Sequence, residues 1–296
     1  MQLLINGKTF KISNNNTIYD SLRNIENIIE TNQSDNLIGN EQDDVLTGGL
    51  GDDNISGGSG NDIIQGGDGD DTITDISGNA LFWAGSGNEI YIGGAGNDTV
   101  TTGSGTDIIV FNKGDGVDTV NADNVQDNIL SIGGGATYAD LQFAKSGVDL
   151  ELQINSTADK VILKDWYSTS AAKKSVLTLQ MVVEASSDYS ASSTDSKYNK
   201  KVASFDFRTL VQSFDSALTA TPGLSNWSLS NALTTAYLNG SDNQVLGGDL
   251  AYQYGRFGSL SNVGYAGAQS VLTSGSFGSQ QALQYSSLLG AGIRLS

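Results

Sequence analysis

From Gly48 to Val110 the chain reads GGLGDDNIS, GGSGNDIIQ, GGDGDDTIT, DISGNALFW, AGSGNEIYI, GGAGNDTVT and TGSGTDIIV. The nine-residue register extends backwards through GNEQDDVLT from Gly39 and ETNQSDNLI from Glu30, which makes nine successive nonapeptides. Their sixth positions are Asp35, Asp44, Asp53, Asp62, Asp71, Ala80, Glu89, Asp98 and Asp107, so eight of nine carry a carboxylate. Their eighth positions are Leu37, Leu46, Ile55, Ile64, Ile73, Phe82, Tyr91, Val100 and Ile109, all large and apolar. An acidic block is ordinarily a solvated tail. Acids interleaved with aliphatics at one fixed spacing instead mark a stacked repeat architecture.

The physics of one repeat leads to the same place. Glycines at the first, second and fourth positions permit positive φ and close backbone approach, so the first six residues make a tight turn. The last three residues alternate outward, inward, outward, with the apolar residue inside. One repeat buries one side chain and cannot stand alone, whereas stacked repeats bury a continuous ladder.

The pattern from Glu30 to Val110 closely resembles the calcium-binding nonapeptides of the repeats-in-toxin (RTX, haemolysin-type) family. That resemblance implies an all-β-dominated fold: a right-handed parallel β-roll, two repeats per coil, with several Ca2+ ions between successive turns on each side. It divides the acids into one edge with Asp35, Asp53, Asp71, Glu89 and Asp107, and another with Asp44, Asp62, Ala80 and Asp98. The implied metal-binding set is these acids together with Gly49, Gly51, Gly58, Gly60, Gly67, Gly69, Gly94 and Gly96. Edge neighbours stand about 4.8 Å apart in such a stack. Two bare carboxylates there repel by roughly 1 kcal/mol in water and several-fold more where water is excluded. Calcium between turns converts repulsion into shared coordination, so binding is folding free energy. Ala80 breaks one edge, and the strongest sites are expected before it, from Asp44 to Asp71. Phe82, Trp83 and Tyr91 are read as filling the roll or covering its side where glycines are missing.

Composition narrows the chemistry. The 296 residues contain no His and no Cys, which removes the usual zinc ligands, the commonest general base and any disulfide. A divalent ion must then be held by oxygen, which favours calcium. The net charge is −18, and between Arg23 and Lys113 there are 12 Asp and 4 Glu with no Lys or Arg. A block so acidic repels nucleic acid and anionic membranes. No apolar run approaches the ~18 residues that cross a bilayer, and Met1 to Phe10 has no secretory n-region and h-region.

The flanks read as caps and a tail. Residues 1–29 are a hairpin and lead-in cap: Leu3 to Ile12 is a hairpin around Asn6-Gly7, and SLRNIENIIE from Ser21 suits a first strand or short helix that caps the roll. Residues 30–126 are the roll. Across 127–185, VDLELQI and VILKDWY resemble the block that follows RTX repeats, with Asp149, Asp165 and Trp166 as its prominent residues. This β-rich block closes the roll. Asp115 and Asp118 read either as ligands of one last ion or as plain turn residues. Residues 186–296 form a Ser/Ala-rich, partly helical tail. Within it SSDYSASSTDSK reads as a linker, VASFDFRTLVQSFDSALTA as a helix, and Asn226 as the cap of another. The ending SLLGAGIRLS suits the uncleaved C-terminal signal of type I secretion, or a small domain docked on the roll.

No HExxH, no GxSxG with a His partner and no nucleophilic Cys is present, and the only proline, Pro222, follows Thr221, which excludes Asp-Pro self-cleavage. The sequence therefore points to a non-enzymatic, calcium-dependent folding and secretion module. Its expected partners are calcium and the type I apparatus, and its expected place is outside the cell or on its surface. An adhesive, self-assembling surface-layer module and a polysaccharide-binding roll are the alternatives.

Overall fold

The computed structural model describes residues 2–5, 8–11, 27–29, 34–122, 128–169, 174–242, 246 and 248–259. The Asn6-Gly7 turn and the SLLGAGIRLS ending lie outside the described residues. The strands Gln2–Ile5 and Lys8–Lys11 that flank the turn do pair antiparallel.

Strands dominate, and the repeats wind into a parallel β-solenoid of about five turns. Each turn contributes one strand to each of two sheets. One sheet carries Asn36–Ile38, Asn54–Ser56, Thr72–Thr74, Ile90–Ile92, Ile108–Asn112 and Asn128–Gly133 in spatial order. The other carries Asn27–Ile29, Val45–Leu50, Ile63–Asp68, Leu81–Ser86, Thr99–Thr101 and Val117–Asn121. Within the repeats the register steps by two nonapeptides, as in Leu37↔Ile55↔Ile73↔Tyr91↔Ile109 and Ile28↔Leu46↔Ile64↔Phe82↔Val100. The eighth-position residues are therefore two facing inward ladders, and Leu46, Ile55, Ile64 and Ile73 are fully buried. Phe82 and Tyr91 belong to this ladder, with ring centroids 6.2 Å apart. Trp83, one residue on, points outward and is 42 % exposed.

The roll continues past Val110. Val120 and Leu130 extend the two ladders, with short insertions in the connecting turns. Both sheets then change character. Lys160–Leu163 and Val176–Val182 still join in parallel, but everything beyond them is antiparallel. Asp149–Ile154, Leu141–Ser146 and Trp227–Ser228 extend one sheet, and Val202–Asp206 and Tyr237–Ser241 the other. This block seals the roll with aromatics: Phe207 meets Phe143 at 5.4 Å and Trp166 at 5.5 Å between ring centroids, and Phe143 meets Phe214 at 5.7 Å. Asp149 fixes the bend before Trp166, accepting from Lys164 Nζ at 2.6 Å and from the Asp165 amide at 2.8 Å.

Two helices differ from the sequence expectation. The stripe from Val202 is a strand as far as Asp206 and a helix only over Phe207–Ala220. Asp206 causes the switch: its Oδ1 accepts from the amides of Arg208 and Thr209 and so caps the helix. The helix expected from Asn226 shrinks to Ala232–Ala236. The stretch read as a linker is tied down, since the Tyr138 amide donates to Asp188 at 2.6 Å and the Tyr138 hydroxyl donates to the Lys197 carbonyl. A last helix, Gly248–Phe257, lies on the outer face of the first sheet. There Leu250, Ala251 and Tyr254 pack on Ile90, Ile92, Ile108 and Val110. Among the described residues no helix is long and apolar enough to cross a membrane.

Candidate metal centre

The sixth-position acids line the two edges of the roll, and five of them reach back one turn. Oδ1 of Asp53 accepts from the amide of Asp35 at 2.7 Å, that of Asp62 from Asp44 at 2.7 Å, and that of Asp71 from Asp53 at 2.8 Å. Further along, Asp98 accepts from Ala80 and Asp107 from Glu89. The two edges inferred from the sequence are thus the two edges found. One oxygen of each of these five aspartates staples the preceding turn.

The second oxygen is the informative one. Oδ2 of Asp53, Asp62, Asp71 and Asp98, and both carboxylate oxygens of Glu89, are buried with no N–H or O–H donor reaching them. A polar oxygen in that state costs free energy that a hydrogen bond or a cation has to offset. Asp44 differs, because Asn40 covers it through its amide and its side chain. Asp35 tops its edge half-buried.

Glycines supply the rest of the cradle. Gly49, Gly51, Gly58, Gly60, Gly67, Gly69, Gly94 and Gly96 all have positive φ, from 77° at Gly94 to 158° at Gly96. At Gly67, with φ 122°, an added Cβ would also run into the Gly49 carbonyl one coil earlier. Side chains at such places would part the turns. Without them, backbone carbonyls and carboxylate oxygens of successive turns come together. No three acids gather at one point among the described residues. The donor set is therefore mixed, one or two carboxylates with turn carbonyls. An all-oxygen set of that kind suits a hard cation with flexible geometry such as Ca2+.

The electrostatics agree. Burial pushes Asp53 and Asp98 up to about 7, Asp71 to about 8 and Glu89 to about 11; the amide held by each Asp offsets part of this. Nearby acids add to the rise: Asp35 for Asp53, Asp53 and Glu89 for Asp71, and Asp107 for Glu89. Asp62 is raised too, by burial first and then by Asp44. Closed edges favour protons or metal ions over bare negative charge.

Of the two residues read either as ligands of a last ion or as turn residues, Asp118 stands in an edge and Asp115 in a turn, and three further features escaped the reading of the sequence. Asp118 is a sixth-position acid, since its Oδ1 accepts from the Asp98 amide at 3.0 Å, and burial pushes it up to about 9. Its companion Asp115 is a turn residue, with Oδ2 held by the Asn112 amide and Oδ1 by the Tyr254 hydroxyl. Asn128 takes the corresponding place on the other edge, accepting from the Asp107 amide. The insertions before Asp118 and Asn128 take both out of the strict period of nine, which hid Asn128. The fifth positions form an outer ladder running the opposite way: Asp43, Asp52, Asn61, Asp70, Asn79, Asn88 and Asn97 each accept from an amide of the following turn at 2.7 to 3.0 Å. The run of Asp and Asn at that position was its signal. Finally, the sequence gives Asp75 no role, yet it is buried in the same edge.

A family model for the RTX calcium-binding nonapeptide repeat (four copies) matches residues 31–64, 47–74 and 83–118. No curated protein matches the chain. Stacked glycine turns, inward aliphatic ladders and edge acids agree with that match: residues 31–118 carry RTX calcium-binding nonapeptide repeats, in several copies, wound into a β-roll.

Proposed function

We propose that the chain is a calcium-dependent folding and secretion module of a type I secreted protein and performs no catalysis itself. The ligands in this reading are the edge acids Asp35, Asp44, Asp53, Asp62, Asp71, Glu89, Asp98 and Asp107, with backbone carbonyls from the glycine turns at Gly49, Gly51, Gly58, Gly60, Gly67, Gly69, Gly94 and Gly96. The observation that carries it is the row of buried carboxylate oxygens that no donor reaches, repeated turn after turn on both edges. Bound Ca2+ supplies the positive charge that lets these edges close while ionised.

Function then follows from where calcium is plentiful. In a cytosol poor in calcium the acids hold the chain open, in a form that threads through a narrow export channel. Outside, extracellular-type sites fill at roughly 10⁻⁴ to 10⁻³ M calcium. The roll closes, backsliding is discouraged, and residues 127–185 act as the seal on which the last turn forms. Residues 1–29 serve as the lead-in. The 186–296 tail carries the uncleaved export signal. Circular dichroism during calcium and magnesium titrations tests the core of this reading. We expect a cooperative gain of β signal with millimolar calcium and little with equal magnesium. No gain with calcium overturns it.

A further inference from the structure

The repeat Asp75–Trp83 departs from its neighbours at three positions at once. It has Asp75 where most repeats begin with glycine, Ile76 where its neighbours have the second glycine, and Ala80 where they carry the sixth-position acid. It is also the stretch between the family matches, which stop at 74 and resume at 83. Composition alone makes this turn a defect in its edge.

The geometry of the intact repeats gives a different answer. A Cβ added to Gly57 would collide with Asp62 Oδ2, one on Gly66 with Asp71 Oδ2, and one on Gly93 with Asp98 Oδ2. The first and sixth positions of one repeat therefore open onto the same point. Those three glycines do not have positive φ. An L side chain fits the backbone there; at Gly57 and Gly93 only the acid excludes it, and at Gly66 the Ala84 carbonyl is close as well. Elsewhere side chains stand at both positions, Ala84 with Glu89 and Thr102 with Asp107, so the shared space is tight but not closed to a second side chain.

In the Asp75 repeat the acid has left the sixth position, and Asp75 fills the space. Its residue is 2 % exposed. Oδ1 accepts from the Ile76 amide at 2.8 Å, whereas Oδ2 is buried with no donor reaching it. Its charged neighbours are Asp62 and Asp98, the acids of the preceding and following turns on that edge. The main-chain ladder runs through Ala80 without a break, since Leu81 donates to the Asp62 carbonyl, Thr99 to the Ala80 carbonyl, and the Ala80 amide to Asp98 Oδ1.

We propose that Asp75 is a calcium ligand, replacing the missing sixth-position acid from the first position of the same repeat. The edge Asp44, Asp62, Asp75, Asp98, Asp118 then has no gap. This rests on the calcium reading above and deepens it, because ligation enters by a route outside the consensus.

The test is the number of Ca2+ ions bound by the full chain, measured by equilibrium dialysis and metal analysis, together with the calcium midpoint of the β signal. D75N keeps the size of the side chain and removes its charge. We expect it to lose at least one ion per chain and to raise the midpoint on the order of tenfold, the equivalent of about 1.4 kcal/mol. D75G should behave likewise, and D75G/A80D, which rebuilds the consensus arrangement, should recover the ion. A80D alone should not gain one, since its carboxylate meets the Asp75 side chain. D75N with an unchanged ion count and midpoint overturns the proposal, as does failure of D75G/A80D to recover an ion that D75N loses. A wild-type chain that binds no calcium overturns the underlying reading instead, and the wild-type control separates the two failures.

Discussion

Removing calcium at two pH values exposes the force that governs this fold. Take Asp53, Asp71 and Asp98, which are 3 %, 0 % and 1 % exposed. An unfolded aspartate titrates at 3.8, whereas burial, partly offset by the amide each one holds, pushes them up to about 7, 8 and 7 in the closed roll. Each unit corresponds to about 1.4 kcal/mol, so ionising one of them at pH 7 opposes closure by about 4 kcal/mol. The three together oppose it by about 12 kcal/mol, comparable with the whole stability of a domain, about 5 to 15 kcal/mol. The sign follows from proton binding. The folded form holds more protons than the unfolded one between pH 4 and 8, so stability falls as pH rises through that window and returns as pH falls. In chelator the chain should be open at pH 7.5 and regain β signal and compactness towards pH 4.5, read by far-ultraviolet circular dichroism and small-angle scattering. A second readout is sharper. The open chain at pH 7.5 already has ionised carboxylates, so calcium-driven closure should release almost no protons, measured by calorimetry in two buffers of different ionisation enthalpy. A compact chelated chain at pH 7.5 that releases several protons on meeting calcium would refute the reasoning.

Three further outcomes can be checked by thermal or denaturant unfolding of the calcium-loaded chain. Gly67→Ala forces a side chain onto φ 122° and into the Gly49 carbonyl, and should cost about 3 kcal/mol or more while separating two turns. Asn79→Ala removes the acceptor of the Asn97 amide and a donor to Asn61, both on the exposed outer ladder, and should cost about 1 kcal/mol with the calcium count unchanged. Leu250→Ala empties the contact between the last helix and the sheet at Ile90 and Ile108, and should cost about 3 kcal/mol.

The roll was legible because its two constraints repeat at one period. The eighth position must be apolar to fill the ladder, and the sixth must be acidic to staple and to bind. Where the chain meets a second constraint, that period stops being sufficient. Seventh and ninth positions are Asn54 and Ser56 or Thr72 and Thr74 in earlier turns, but Ile90 and Ile92, then Ile108 and Val110, in later ones. Those outward aliphatics lie under the helix Gly248–Phe257, and their switch from polar to aliphatic was the available sign that something covers them. The strand-to-helix change at Asp206 was hidden for a different reason. Val202, Phe205, Leu210, Val211 and Phe214 satisfy one helical stripe, and only the capping carboxylate decides where the helix begins.

Asp75 shows why a column of letters is an incomplete description of a metal edge. A consensus records which residue stands at each position, but a cation responds only to where oxygen atoms arrive. In this roll the first and sixth positions share one point in space, so the pair Gly-Asp and the pair Asp-Ala both deliver one carboxylate there. The pair Gly-Ala would deliver none. The pair Asp-Asp would press two carboxylates into that tight space. Charge at the edge is thus constrained in sum across the two positions, while either position taken alone is free to vary.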